Sequence, residues 1–336
     1  MLCPYCERKC RLDGDAVGFC RMYVAGEDGI RERFPDRWCA YAVSRLETIP
    51  FYHVYPGGRC LVVGTAGCNL DCRYCSNAYA AKEDPAELAD ILLTLRPETL
   101  VDLARKQGCH AIVFSINEPT VSLPTLQRVS KAAKAAGMPM GCLTNGYATT
   151  LGTRLLGEIF SFVNVSLKGL NAAFCEKYLG IADSSPVIRN IRELAAHCHV
   201  EVTTPVIESE NDHELDQMAA ILADIDPLIP WHVFRLLPVY KMSNDKYPGI
   251  ESLNAKLVEH RKTLPYIYFH NFIGSPWVNT TCPACGQTVI TRHSLGCGGD
   301  KLDEFRLVDG NHCPACGGQI RLHGEKVTWN SKEATA

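Results

Sequence analysis

The chain has 336 residues, 46% of them hydrophobic, and a formal net charge of −3. That length holds one large α/β domain with small appendages, or two domains, and the apolar fraction argues against a disordered chain. The near-balanced charge offers no basic face for nucleic acid, no run of about eighteen apolar residues predicts a membrane span, and no apolar signal-peptide core follows Met1, so a cytoplasmic protein is expected.

The chain opens on cysteines. MLCPYCERKC and the later GFC place Cys3, Cys6, Cys10 and Cys20 close together. In a reducing compartment, clustered cysteines bind metal or do redox chemistry more often than they form disulfides. A structural zinc or iron is the first reading of this set, and an auxiliary iron–sulfur cluster the second. Pro35, Pro50, Pro56 and Gly57–Gly58 then punctuate the passage to the next region, so residues 1–57 read as a cysteine-rich extension.

Across residues 58–275, short apolar runs alternate with longer segments of helical period. The runs are RCLVVGT, AIVFSI, MPMGCLT, FSFVNVSLK, HVEVTTPVI, WHVFRLL and YIYFHN. Gly108 and Gly137 fall where two helices should end. Alternation of this kind predicts an α/β fold with a parallel sheet, closed as a full or partial (βα) barrel. A doubly wound open sheet is the alternative, but no G-x-G-x-x-G follows the first strand. Barrel active sites gather at the C-terminal ends of strands. Polar strings stand there in three successive units: NEPT (117–120), TNGY (144–147) and SLKG (166–169).

The first strand runs into GTAGCNLDCRYCSN, with Cys68, Cys72 and Cys75 spaced C-x3-C-x2-C. A closed zinc site wants four ligands. Three thiolates suit a 4Fe–4S cluster with one iron left open. At the far end, CPACG (282–286) and CPACGG (313–318) bring Cys282, Cys285, Cys313 and Cys316 as two C-x2-C pairs. Four thiolates close a tetrahedron, so residues 276–336 read as a zinc-ribbon or rubredoxin-like module holding zinc or iron. The remaining cysteines (Cys39, Cys60, Cys109, Cys142, Cys175, Cys198 and Cys297) read as small hydrophobes.

CNLDCRYC, with Tyr74 before its last cysteine, resembles the cluster loop of the radical S-adenosylmethionine (SAM) superfamily. The resemblance extends along the chain through YHVYPGG, NEPT, TNGY, SLKG, EVTTPVI, HVFRLLPVYKM and NTTCPACG. It is nearest to the AmmeMemoRadiSam-type branch, which is similar to pyruvate formate-lyase-activating enzymes. It implies a barrel of the radical SAM type, catalytic cysteines Cys68, Cys72 and Cys75, and an open iron chelated by the amino and carboxylate groups of SAM. On that reading Glu118 meets the amine, Asn145 the ribose or carboxylate, and Lys168 the carboxylate. Tyr74, Asn117, Glu201, Thr203, His232 and Arg235 complete the expected cofactor-binding set.

The resemblance implies an oxygen-sensitive enzyme that cleaves SAM to a 5′-deoxyadenosyl radical and takes hydrogen from a protein or peptide. The electron would come from a ferredoxin or flavodoxin. Two features depart from the family: CSNAYAA follows the loop where relatives carry CQN, and Ser166 stands where relatives carry an aspartate. That aspartate is linked in activating enzymes to a cation site, so its loss weighs against a glycyl-radical activase. Residue modification is the expected reaction, with cobalamin-dependent C-methylation, as on methyl-coenzyme M reductase, the specific form, although no D-x-H-x-x-G string is present. A non-catalytic zinc or iron scaffold is the competing class.

Overall fold

The computed structural model describes residues 1–27 and 29–328; the last eight positions of the expected C-terminal module lie outside the described residues. One eight-stranded sheet organises them: β1 (Ala40–Arg45), β2 (Arg59–Gly64), β3 (Ala111–Phe114), β4 (Met140–Thr144), β5 (Phe162–Ser166), β6 (His199–Val206), β7 (Trp231–Arg235) and β8 (Ile267–His270). Spatial order follows chain order. Pairing from β2 to β8 is parallel throughout, and β1 adds an antiparallel edge.

All seven apolar runs have become strands, for a local reason. AIVF and its equivalents are rich in β-branched and aromatic residues and are buried on both faces, as parallel strands require. The long intervals supply α1 (Pro97–Lys106), α2 (Leu123–Ala135), α3 (Thr150–Ile159), α4 (Ser185–Ala195), α5 (Leu215–Ile225) and α6 (Ile250–Val258). Pro97 starts α1, Thr149 caps α3 by accepting the Gly152 N–H, and Gly108 and Gly137 follow α1 and α2 at φ 62° and 65°. No helix among the described residues is long and apolar enough to cross a membrane.

Residue parity separates two cores. Leu61, Val63, Ile112 and Phe114 face the helix layer, packing with Leu100, Leu126 and Leu156. Cys60, Val62, Ala111, Val113 and Phe162 face inward against Leu46, Phe51 and Val54. Gly141 makes room for that inner core: a Cβ there would lie 2.0 Å from the Phe162 ring. Residues 46–58 thus fill the lower interior and form a floor. The ends of β2 to β8 converge above it on one cavity, so the sheet curves as a partial barrel.

The two chain ends attach at different places. The N-terminal extension sits on the loops after the strands: Thr149 N–H donates to the Tyr5 carbonyl, Arg8 to the Asn69 and Gly180 carbonyls, and the Tyr23 hydroxyl to the Thr120 carbonyl. The C-terminal module, with strands Thr280–Thr281, Thr288–Ser294 and Asp300–Phe305, packs beside β8 and the floor. There Arg292 donates to the Tyr52 carbonyl at 2.8 Å and lies 4.0 Å from the centre of its ring. Of the scattered cysteines, Cys60, Cys109, Cys142 and Cys175 are buried, whereas Cys297 is exposed and is no core residue.

Candidate active site

The loop after β2 is held in place by its neighbours. The Asn117 side chain accepts the Thr65 N–H at 3.0 Å and donates to the Ala66 and Gly67 carbonyls at 3.0 and 2.9 Å. Asn77 donates to the Ile116 carbonyl at 2.8 Å, and the N–H groups of Asp71 and Arg73 bond the Leu179 and Tyr178 carbonyls. Gly67 adopts φ 79°, and a Cβ on it would lie 2.3 Å from the Cys20 carbonyl oxygen, so only glycine lets the N-terminal extension approach.

This pinned loop presents Cys68, Cys72 and Cys75 to a cavity of about 340 Å³. Tyr74, Asn117, Glu118, Asn145, Ser166, Lys168 and Thr203 share its wall, and Phe234, Leu236 and Leu237 give it an apolar side. The three thiols are not all within 4.8 Å of one another, a wider set than a single ion closes. Burial pushes Cys68 up to about 12 and also raises Cys75, with the Lys82 ammonium working against both shifts. A bound cation centre reverses that penalty by stabilising thiolate.

Glu118 lies at the centre of the polar wall. Its carboxylate accepts the Thr120 N–H and hydroxyl, the Thr144 hydroxyl, and the Asn145 N–H at 2.8 Å. Burial outweighs these bonds and raises its pKa. The Asn145 amide donates to the Asn69 side chain at 2.7 Å and lies 3.7 Å from the Cys68 sulfur. The Lys168 ammonium lies 5.7 Å from the centre of the Tyr74 ring. Two buried hydroxyls in the wall, Tyr74 Oη and Thr203 Oγ1, have no partner. An unpaired buried hydroxyl costs roughly 1–3 kcal/mol, so the cavity fits a polar ligand that supplies the missing bonds. Three thiols on one side and a buried carboxylate on the other also suit a cluster carrying an amino-acid chelate.

Three expected residues do not line this cavity. Glu201 and His232 lie below it, in the floor: each Glu201 oxygen accepts two bonds, from the Tyr52 and His53 N–H groups and from His232 and His199. Burial alone would raise the Glu201 carboxyl, but the histidine hydrogen bonds outweigh it and hold it well below the carboxylate range. Arg235 faces the other side of β7, where it donates to the Pro248 carbonyl at 2.6 Å and covers the Tyr247 ring.

At the opposite end, Cys282, Cys285, Cys313 and Cys316 all lie within 4.8 Å of one another, with sulfur separations of 3.6 and 3.7 Å across the pairs Cys282–Cys316 and Cys285–Cys313. A Zn–S bond of about 2.3 Å implies a tetrahedral edge of roughly 3.8 Å, so these four thiols fit one metal ion. The two turns match: Gly286 and Gly317, both left-handed, return their N–H groups to the Cys282 and Cys313 carbonyls.

Residues 62–222 match the model of the Radical SAM superfamily. The chain carries a radical SAM domain. Over 334 residues it is 29% identical to the uncharacterized protein MJ0808 of Methanocaldococcus jannaschii, covering 95% of each chain. Among solved structures, it is similar to Streptococcus suis SuiB bound to the precursor peptide SuiA, at 12% identity and a TM-score of 0.49 over 65% of this chain; the match spans 48% of SuiB, about half its length. The FeFe-hydrogenase maturase HydG of Carboxydothermus hydrogenoformans matches at 17% identity and a TM-score of 0.44, over 62% of this chain and 52% of HydG. The radical SAM domain also uses residues with little signal in the sequence. Asn69 reads as a loop polar group and Lys82 as a solvated cation until the fold sets them beside the thiols.

Proposed function

We propose that this radical SAM enzyme modifies a residue in a protein or peptide by hydrogen abstraction. Bound in this cavity, a 4Fe–4S cluster with SAM would supply the one electron needed to split the sulfonium into methionine and a 5′-deoxyadenosyl radical, which would take a hydrogen atom from the substrate. The observation that carries the reading is the cavity itself, with three thiols from one loop facing polar groups from the ends of the following strands. Cys68, Cys72 and Cys75 would hold the cluster, Glu118 and Asn145 orient the methionine part, and Lys168 balance its carboxylate. Thr203 and Tyr74 offer hydroxyls to the remaining polar atoms. The apolar side formed by Phe234, Leu236 and Leu237 keeps water from the reacting carbon.

Ser166 lines the cavity without a carboxylate, which favours residue modification over glycyl-radical activation. Within that class we favour C-methylation with cobalamin as the methyl carrier, and a low-potential donor such as ferredoxin or flavodoxin. The test is anaerobic: protein reconstituted with iron and sulfide receives dithionite and SAM, and 5′-deoxyadenosine is assayed with and without cobalamin. The expected result is 5′-deoxyadenosine from the native protein and none from C68A/C72A/C75A. Product from that variant would overturn the site, and failure to retain cobalamin would overturn C-methylation by that route.

A further inference from the structure

The loop after β2 stands between two cavities. Cys68, Cys72 and Cys75 line the inner one, proposed above for SAM. Of the three thiols only Cys68 also lines a second cavity, of about 660 Å³, on the outer face of the loop. Its walls come from residues 17–21 of the N-terminal extension, residues 81–84 behind the loop, and residues 240–241 after β7. Hydrogen bonds tie these walls to the loop and to one another. Arg21 donates to the Lys82 carbonyl at 2.9 Å, the Lys82 ammonium to the Leu70 carbonyl, and the Lys241 N–H to the Arg73 carbonyl at 3.0 Å.

The two cavities differ in chemistry. The inner one has an apolar side, with Glu118 and Lys168 as its carboxylate and ammonium. Arg21, Arg33, Lys82 and Lys241 line the outer one, and the exposed Arg73 adjoins Lys241. Against these five cations stand three carboxylates, of Asp71, Glu83 and Asp84. Asp84 lies 3.7 Å from Arg33, and Asp71 lies 3.7 Å from Lys82 and 3.3 Å from Lys241. Glu83 is exposed and, among the described residues, forms no ion pair. Arg21 and Arg73 have no carboxylate partner among the described residues, and Lys82 and Lys241 share one. Phe19 and Tyr240, both exposed, add aromatic surface to the same walls. A surplus of positive charge with aromatic surface suits a negatively charged protein.

Reductive cleavage of a sulfonium consumes one electron, which has to be delivered to the site from outside. With SAM and substrate in place the inner cavity is closed to a further partner, while Cys68 still borders the outer one. We propose that an acidic one-electron carrier protein docks on the outer cavity. Arg21, Arg73 and Lys241 meet its carboxylates, and the electron enters beside Cys68. The carrier is oxidised by one electron as the site is reduced by one. The inference rests on the radical SAM reading of the inner cavity and adds to it the face on which the reductant binds. Transient electron-transfer pairs bury less than about 1,200 Å². In a contact of that size charge sets the association, so binding should weaken with salt.

The test uses the full chain reconstituted with iron and sulfide, and an acidic flavodoxin as the probe. Calorimetry reads its binding, and 5′-deoxyadenosine is assayed with reduced flavodoxin and, separately, with dithionite. Binding to the native protein should weaken steadily as ionic strength rises. R21E/K241E should weaken it about tenfold and lower the flavodoxin-driven rate about as much, with the dithionite-driven rate unchanged. No binding, binding that ignores salt, or binding equal in the variant would overturn the proposal. So would an equal loss of rate with both donors, which would mark the two residues as structural. The salt series needs no variant, so it decides the matter even if R21E/K241E fails to fold. Absence of 5′-deoxyadenosine from the native protein under dithionite would instead refute the radical SAM reading, and the binding measurement does not depend on that result.

Discussion

The two ends of the barrel carry the same kinds of residue and use them differently. Below, in the floor, Glu201 accepts four hydrogen bonds, and His270 bonds both His232 and Asp300. Above, around the cavity, Tyr74 and Thr203 have unpaired hydroxyls, and three thiols face open space. Residue type does not distinguish the two ends, and hydrogen bonding alone does not either, since Glu47 Oε2, Asn164 Oδ1 and Asp300 Oδ1 in and beside the floor also lack partners; the open space beside the upper groups does. A polar group enclosed by protein on all sides holds the fold together, and one that borders a cavity can take a ligand.

Substitutions at the two ends should therefore have opposite signatures. The largest effect on stability is expected from E201A, which leaves two buried N–H groups and two histidines without their acceptor. It should cost about 3–5 kcal/mol in urea unfolding, with the KM for SAM changed little in whatever protein remains folded. A KM shift larger than the stability loss would bring the floor into the site.

Acid should act through the same end. His53 and His270 are buried and held neutral, with burial depressing them to about 3 and about 4. The unfolded chain takes up these protons first, below its ordinary histidine pKa of about 6.5, so stability falls as pH drops from there towards 4. The slope should reach about 1.4 kcal/mol per pH unit for each such histidine. A melting temperature flat between pH 6.5 and 4 would contradict it.

At the upper end N117A removes the amide that pins residues 65–67, at roughly 1–3 kcal/mol. Its distinguishing effect is on the cluster, read as a lower iron content per folded chain. T203V is the smallest change. Removing a hydroxyl that has no partner should leave the melting temperature unchanged or slightly higher, while weakening SAM binding. If T203V destabilises the apoprotein instead, Thr203 belongs with the floor.

The sequence made the sheet legible because every parallel strand is a continuous apolar run, and it marked the three cysteine groups by spacing alone. It did not reveal β1 or the floor. AYAVSR has no apolar stripe of its own, and residues 46–58 look like a linker because their prolines and glycines give no period. The site residues divide by depth and parity along a strand. Glu201, Thr203 and Pro205 all point inward, yet only the last two reach the cavity, because Glu201 is the third residue of an eight-residue strand. His232 and Arg235 are an odd number of positions apart and so face opposite sides of β7. Asn69 could not be read at all, since its role exists only once residues 68, 145 and 147 meet.

The contacts that seat the N-terminal extension have a bearing on synthesis. Arg8 donates to the carbonyl of Gly180, and Tyr5 accepts from Thr149. A chain made from its N-terminus presents the first four cysteines to the surroundings long before residue 180 leaves the ribosome. Those thiols have no seat until more than half of the protein exists, and the floor gains its last strand-like contact only when His323 pairs with Val54. A metal delivered to the nascent chain would therefore meet an unshaped set of thiols, and the arrangement of these four cysteines belongs to the completed fold.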